Sequence, residues 1–493
     1  MKLNKIISSI LLGLMSLSAC QGFLDRKPQG EFNPGMVFES ETYTLLAVNG
    51  IYNQLNAYNL TSVPGLIGEI LSDDGNKGGR AGGNPDLNQI DYFNIHPNIP
   101  LFNNFWAGLY KGIYNANLVL DNIHLTQTTE EMRNRMTAEA RFLRAFYYYQ
   151  LTFYFGGVPA MTSTTEEQVK PRASQEEILE LIKEDLDFAM DHLPSRSEYP
   201  AADMGRVTKG AAQALSARIA LYRNDMATAK NMAMEVIHSG EYALWEDYST
   251  LWRNEAQNCQ ESIFEIQAAS NLEANVGNRW SQAQGLRSTR DLGWGMNCPS
   301  DALLDAYEEG DPRKEATYIA IGDTTFDGHF VNEPQNANEP DSRGFNYKAY
   351  VPIDEFTNQE SGPINLREIR YAEMLLIAAE ALQAEGNEGE ARRYLNMVRA
   401  RARGENQQIL PDVTASGTEL RHAIWNERRV ELAMERQRWF DLIRCDLVEP
   451  GYAAKMLEKH GKTAFDYETH KLMPIPGNQI EISNGVLVQN PGY

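Results

Sequence analysis

The run Ala140-Arg141-Phe142-Leu143-Arg144-Ala145-Phe146-Tyr147-Tyr148-Tyr149-Gln150-Leu151-Thr152-Phe153-Tyr154-Phe155, closed by Gly156-Gly157-Val158-Pro159, decides how the chain is read. Phe142, Phe146, Tyr149 and Phe153 share one helical face, and Leu143, Tyr147 and Leu151 share another. A helix that is apolar nearly all round is buried, so the spacing predicts an interior helix over about residues 130–155. Gly156 can take the left-handed cap and Pro159 forbids continuation. Arg141 and Arg144 interrupt the apolar surface and are expected to pair with buried or capping acids.

Paired helices follow outward from this run. Ser174 with Glu177 three residues on forms a capping-box signature, opening a helix to about Leu193. Residues 208–222 and 226–238 form an Ala-rich pair around Arg223-Asn224-Asp225, and residues 367–384 and 388–402 form another around Glu385-Gly386-Asn387. Ala217, Ala220 and Leu221 of the first match Ala378, Ala381 and Leu382 of the second. Small residues let helices approach closely, and a period of ~34 residues is that of tetratricopeptide units. The two pairs are not contiguous, so a simple solenoid is not expected. A helix over about 37–58 precedes the run, another resumes near Phe102, and a strong helix covers about 418–444, with Trp425, Leu432 and Trp439 spaced by seven. On that helix Glu427, Glu431 and Glu435 read as a salt-bridged face beside Arg428 and Arg438.

Two stretches break the helical pattern. Residues 60–100 hold Ser72-Asp73-Asp74-Gly75-Asn76 and Gly78-Gly79-Arg80-Ala81-Gly82-Gly83, which is loop chemistry. Residues 270–365 are rich in Asn, Gly and Asp and hold Trp280, Trp294, Tyr307, Tyr318, Phe326, Phe330, Phe345, Tyr347, Tyr350 and Phe356. Inserts of that length usually serve function or build a subdomain. The tail from 471 reads as irregular.

Composition narrows the function classes. The 493 residues are 42% hydrophobic and 23% charged, ordinary globular usage, with a net charge of −22 that disfavours nucleic-acid binding. Four Cys rule out a disulfide-built scaffold, and Cys259, Cys298 and Cys445 read either as three small buried thiols or as one disulfide with a single Cys left over. Residues 1–19 carry Lys2, Lys5 and an apolar run from Ile6 to Leu17, the pattern of a signal peptide. Leu17-Ser18-Ala19-Cys20 resembles a bacterial lipobox, which makes Cys20 the expected site of acylation (palmitate) and membrane anchoring.

Several blocks together resemble the SusD/RagB family of outer-membrane lipoproteins. They are Phe23-Leu24-Asp25 with Lys27-Pro28, the run at 140–159, Arg370-Tyr371-Ala372-Glu373-Met374-Leu375-Leu376, Glu427-Arg428-Arg429-Val430-Glu431-Leu432 with Arg438-Trp439-Phe440-Asp441-Leu442, and the ending Gln489-Asn490-Pro491-Gly492-Tyr493. The resemblance implies a mainly α fold: a tetratricopeptide-like helical-pair scaffold (SusD-like) with irregular loop-rich inserts, in one domain over 20–493. The scaffold would cover about 37–60, 102–265 and 366–445, and the ligand-binding inserts about 60–105 and 270–365. It further implies a surface lipoprotein that binds a nutrient, most often an oligosaccharide or polysaccharide, beneath which sits a SusC-like TonB-dependent outer-membrane transporter.

A sugar offers apolar C–H faces to aromatic rings and hydroxyl edges to amide, carboxylate and guanidinium groups. Trp280 and Trp294, flanked by Asn278, Arg279, Arg290 and Asp291, are the candidates for stacking. Asp73, Asp74, Asn76 and Arg80 are candidates for the polar rim, with Tyr92 and Phe93 as further aromatics. Asp323, Thr325, Asp327 and Gly328 begin like a calcium loop, but its twelfth position is Pro334 where Glu is needed. No metal or cofactor is therefore expected, and a structural calcium has no motif. HExxH, GxSxG and GxxxxGK[ST] do not occur, so the chain is not expected to be an enzyme. Three other readings stand beside glycan capture: a peptide-binding importer of the same architecture, a lipid-anchored glycoside hydrolase, and a repeat scaffold that binds no small ligand.

Overall fold

A computed structural model describes residues 37–80, 83–167, 169–269, 277–287, 292–332, 343–355 and 362–493. Cys20 with its leader, Arg290, Asp291 and Phe356 lie outside the described residues. The helix expected from the opening run spans Glu130–Phe155, and its last two turns are buried on nearly every side. The Thr129 side chain accepts from the backbone of Met132 at its start, and Gly156 ends it at φ 74°. Arg144 forms a two-pronged pair with Asp185 of the neighbouring helix Gln175–His192, at 2.8 Å for each prong. That helix opens with the expected capping box on Ser174 and Glu177. Gly112 of the helix Pro100–Asn122 lies against the Tyr147 ring so closely that a Cβ there would sit 2.3 Å from it.

The helical pairs form Lys209–Tyr222 with Met226–His238 and Tyr371–Ala384 with Glu388–Arg403. Both turns close in the same way. A left-handed residue, Asn224 (φ 59°) or Gly386 (φ 82°), is followed by a backbone bond five residues back, Asp225 to Ala220 and Asn387 to Leu382. Although separated in sequence, the pairs are adjacent in space, because Met226–His238 packs on Tyr371–Ala384. The stack is thus continuous, and the residues between the pairs are looped out of it. The loop is closed by antiparallel strands: β2 (Ser262–Ile266) pairs with β6 (Leu366–Arg370), Ser262 opposite Arg370 and Ile266 opposite Leu366.

Four other short strands sit in or beside the inserts. They are β1 (Gly75–Gly78), β3 (Met296–Pro299), β4 (Tyr318–Ala320) and β5 (Gly344–Asn346). β4 pairs with β5 over a small second core of Leu286, Leu292, Cys298, Ile319, Val331, Phe345 and Tyr350. Cys259, Cys298 and Cys445 are buried and none is in a disulfide.

Two expectations are corrected. Residues 60–100 are not all loop: Val63–Ile70 is a helix with every residue buried, and Pro85–Asp91 is another. The glycines that read as loop signals serve close packing, since a Cβ on Gly65 would come within 2.9 Å of Gln284, and one on Gly68 within 3.1 Å of the Tyr154 hydroxyl. The helix expected over 418–444 is two helices, Gly417–Glu431 and Arg438–Val448. The chain reverses between them with Met434 and Arg436 at positive φ. Glu435 leaves the helix line there to meet Arg370 (2.7 Å) and Lys348 (2.7 Å), while Lys348 also donates to the carbonyl of Ala433. Glu427 and Glu431 do form salt bridges, but inward, with the fully buried Arg313 and with Arg399 and Arg370.

A candidate ligand-binding site where the two inserts meet

β1 from the first insert pairs antiparallel with β3 from the second, Asn76 opposite Cys298 and Gly78 opposite Met296. The pairing continues beyond the strands, because the backbone of Gly79 donates to the carbonyl of Gly295 at 2.6 Å. Gly79 has φ 68°, and a Cβ there would meet the carbonyl of Trp294 at 3.5 Å. This seam fixes the backbone of Trp294, whose N–H donates to the carbonyl of Gln282 at 2.7 Å.

The Trp294 ring stays partly exposed. It meets Tyr58 edge to face, with centroids 6.1 Å apart, and the Arg279 guanidinium lies 5.9 Å from the centre of the Tyr58 ring. Tyr58 and Arg279 are partly exposed as well. Burial raises the Tyr58 hydroxyl above its ordinary value, with Arg279 pulling against it. The phenol is therefore neutral at physiological pH and can both donate and accept. Exposed Arg80 lies one residue beyond the seam, and exposed Asn84 holds the sulfur of Met296 through its amide at 3.6 Å. The product is an aromatic pair with the Arg279 guanidinium beside it, suited to a flat apolar face with a polar edge, and Arg80 and Asn84 follow on the chain that leaves the seam.

The other sequence candidates lie elsewhere. Trp280 is 4% exposed and belongs to the main core, so its ring has no face to offer. Phe93 is 5% exposed and packs on Trp439, Phe465 and His470. Tyr92 beside it is exposed, but at the far end of the helix Pro85–Asp91. Asp73 and Asp74 are buried in the base of the insert. Asp73 takes a two-pronged bond from Arg438 at 2.7 and 2.9 Å, and Asp74 pairs with Arg429. Burial raises the Asp73 carboxyl, but Arg438 and Arg429 outweigh it and hold it well below the usual carboxylate range. Asn76 bonds to His460 at 3.1 Å. The acids are thus the pins that fasten the insert to the scaffold. In the second insert Asp327 accepts from the Tyr350 hydroxyl and pairs with Thr325. Tyr58 was missed because it follows directly on a helix signal, yet the run Asn53, Asn56, Asn59 around it marks a helix end.

A family model for SusD matches residues 260–493, and a second, described as starch-binding and associating with the outer membrane, matches residues 22–221. The chain belongs to the SusD family. Among its SusD relatives is SusD-like protein P2 of Formosa agariphila, 28% identical with all of both chains covered. A solved laminarin-binding SusD-like protein is 27% identical with a TM-score of 0.77, covering 92% of this chain and 100% of its own. Surface glycan-binding protein A of Bacteroides fluxus is 26% identical, also at 0.77, with the same coverage. The mainly helical scaffold is therefore the SusD fold. Among the described residues no helix is long and apolar enough to cross a membrane.

Proposed function

We propose that this chain is a surface lipoprotein that captures a glycan on the patch formed by Tyr58, Trp294, Arg279 and Arg80, and hands it to a SusC-like TonB-dependent transporter. The observation that carries the reading is the β1–β3 seam, which brings the two inserts together beside the Tyr58–Trp294 pair, whose rings pack on the core yet stay partly exposed. A sugar ring would lie on the indole, with its hydroxyls turned to the guanidinium groups. Laminarin binding by a relative of this family supports a glycan as cargo. Acylation at Cys20 would anchor the protein, and capture would raise the glycan concentration at the transporter. Asp73 and Asp74 are committed to Arg438 and Arg429, so these two acids do not form a hydrolytic acid–base pair.

The test is a calorimetric titration of the mature chain with an oligosaccharide panel that starts from β-1,3-glucans. Saturable binding that Trp294→Ala weakens tenfold or more, in a variant whose cooperative melt shows it to be folded, is the expected result. Binding that survives both Trp294→Ala and Tyr58→Ala would move the site elsewhere. Saturable binding of peptides alone would make the chain a peptide importer, and new reducing ends on incubation with polysaccharide would make it a hydrolase.

A further inference from the structure

A cavity of about 580 Å³, sharing no lining residue with the β1–β3 seam, lies between the segment 246–255, the helix Pro312–Thr317, the side chains of Phe326 and Tyr347 and the end of the helix Glu388–Arg403. Arg253 lines it and is 5% exposed. Its guanidinium lies 5.0 Å from the centre of the Phe326 ring and 4.9 Å from that of Tyr347. Its hydrogen bonds are long ones, 3.3–3.4 Å, to the carbonyls of Trp252, Tyr347 and Tyr350.

What sets Arg253 apart is the company it lacks. Arg144, Arg218, Arg313, Arg367, Arg370, Arg399, Arg428, Arg436, Arg438 and Arg444 are the other buried arginines among the described residues, and each has a carboxylate within ion-pair distance. Arg253 forms no ion pair among the described residues. A buried charge without a counter-ion is costly, and aromatic faces lessen that cost without neutralising the charge. Burial lowers its proton affinity and outweighs the opposing pull of Tyr347 and of Glu255 and Asp327, which lie beyond ion-pair distance, whereas Arg370 and Arg438, with carboxylates in contact, are raised.

We propose that the Arg253 cavity binds a saccharide carrying a single anionic group, a carboxylate or a sulfate ester, which supplies the missing counter-ion. A guanidinium fork suits two coplanar oxygens, and Phe326, 62% exposed, gives the sugar ring a face to lie on. Exposed Glu246, Glu255 and Glu315 on the rim accept hydroxyls and repel further negative charge. The site therefore selects one anion and rejects a polyanion. The inference rests on the reading of the chain as a saccharide binder, but it concerns different residues.

Three probes share one ring and differ only at C6: methyl glucoside, methyl glucuronide and methyl glucoside 6-sulfate. Titration of the full mature chain, followed by saturation-transfer NMR, should show one or both anionic probes at least tenfold tighter than the neutral one. Which of the two prevails tells carboxylate from sulfate. Arg253→Met should erase the difference; it strands no partner carboxylate but gives up the long bonds to the Trp252, Tyr347 and Tyr350 carbonyls, so the thermal midpoint is read alongside to show that the variant is folded. Phe326→Ala, on an exposed ring, should weaken the anionic probes without affecting folding, and Trp294→Ala should leave the preference intact. A heavily sulfated dextran should not compete. Equal affinity for all three probes, or a preference that survives Arg253→Met, overturns the inference. If neutral oligosaccharides still bind through Trp294, the proposed function stands while this site falls. If no saccharide binds at all, both fall.

Discussion

Replacing Asp73 by Asn separates a structural pin from a ligand contact. The carboxylate is 2% exposed and holds Arg438, itself 4% exposed, through two bonds of 2.7 and 2.9 Å, with Arg429 at 2.9 Å. Neutralising one member of a buried ion pair leaves the other uncompensated and costs about 3–5 kcal/mol. At about 2.1 cal/mol/K per residue, a chain of 493 residues unfolds with an entropy of about 1 kcal/mol/K, so the midpoint should fall by about 3–5 °C. Calorimetry at pH 7 reads this directly. Adding Arg438→Met should recover part of the loss, because the stranded guanidinium is gone, with a coupling of about 2 kcal/mol. The pH dependence has a definite sign. Asp73 titrates lower in the folded state than in the unfolded chain, so its contribution is complete above the unfolded value of ~3.9 and is lost as pH falls below it. Asp73→Asn should lack that part of the acid sensitivity. A midpoint unmoved by Asp73→Asn, together with lost glycan binding, would refute the reasoning and return Asp73 to the ligand rim.

Further predictions concern the core. Glu69 is fully buried with its carboxyl pushed up to about 8, chiefly by burial and then by Asp74. A raised acid stabilises below its unfolded value and loses that contribution as pH rises through the folded one, so stability should decline between about pH 4.5 and 8. Glu69→Gln should flatten this decline, and an identical slope in wild type and variant would count against it. Gly112→Ala drives a methyl into the Tyr147 ring and should cost about 1–3 kcal/mol, read as a lowered midpoint; an unchanged midpoint would show that the two helices can move apart freely. Cys259, Cys298 and Cys445 are buried and not in disulfides, so a thiol reagent should label none of them in the native protein and all three in denaturant.

The helical scaffold was legible because its information is local. The apolar faces of 130–155, the capping box at Ser174 and the matching turns at Asn224 and Gly386 act within a few residues of themselves, and each appears as read. Arg144 was read correctly as a paired charge for a related reason: a guanidinium on an otherwise apolar helix needs a partner wherever that partner lies. The candidate site was legible only in its ingredients. Trp280 and Trp294 stand fourteen positions apart in similar Gly- and Asn-rich surroundings. One is fully core and the other only partly buried because the seam between β1 and β3 lies beside Trp294 while the short helix Trp280–Gln284 turns inward. Asp73 and Asp74 looked like a ligand rim, and Glu435 like part of a helical stripe. Their roles were set by Arg438, Arg429 and Arg370, which lie far away along the chain. The sequence alone therefore determined the central scaffold helices, their caps and the family, since periodicity and capping are short-range, but not the buried helix Val63–Ile70 or the reversal between Gly417–Glu431 and Arg438–Val448. The tertiary structure decided which aromatic ring stays open and which acid becomes a pin, because burial and ion pairing depend on residues hundreds of positions apart.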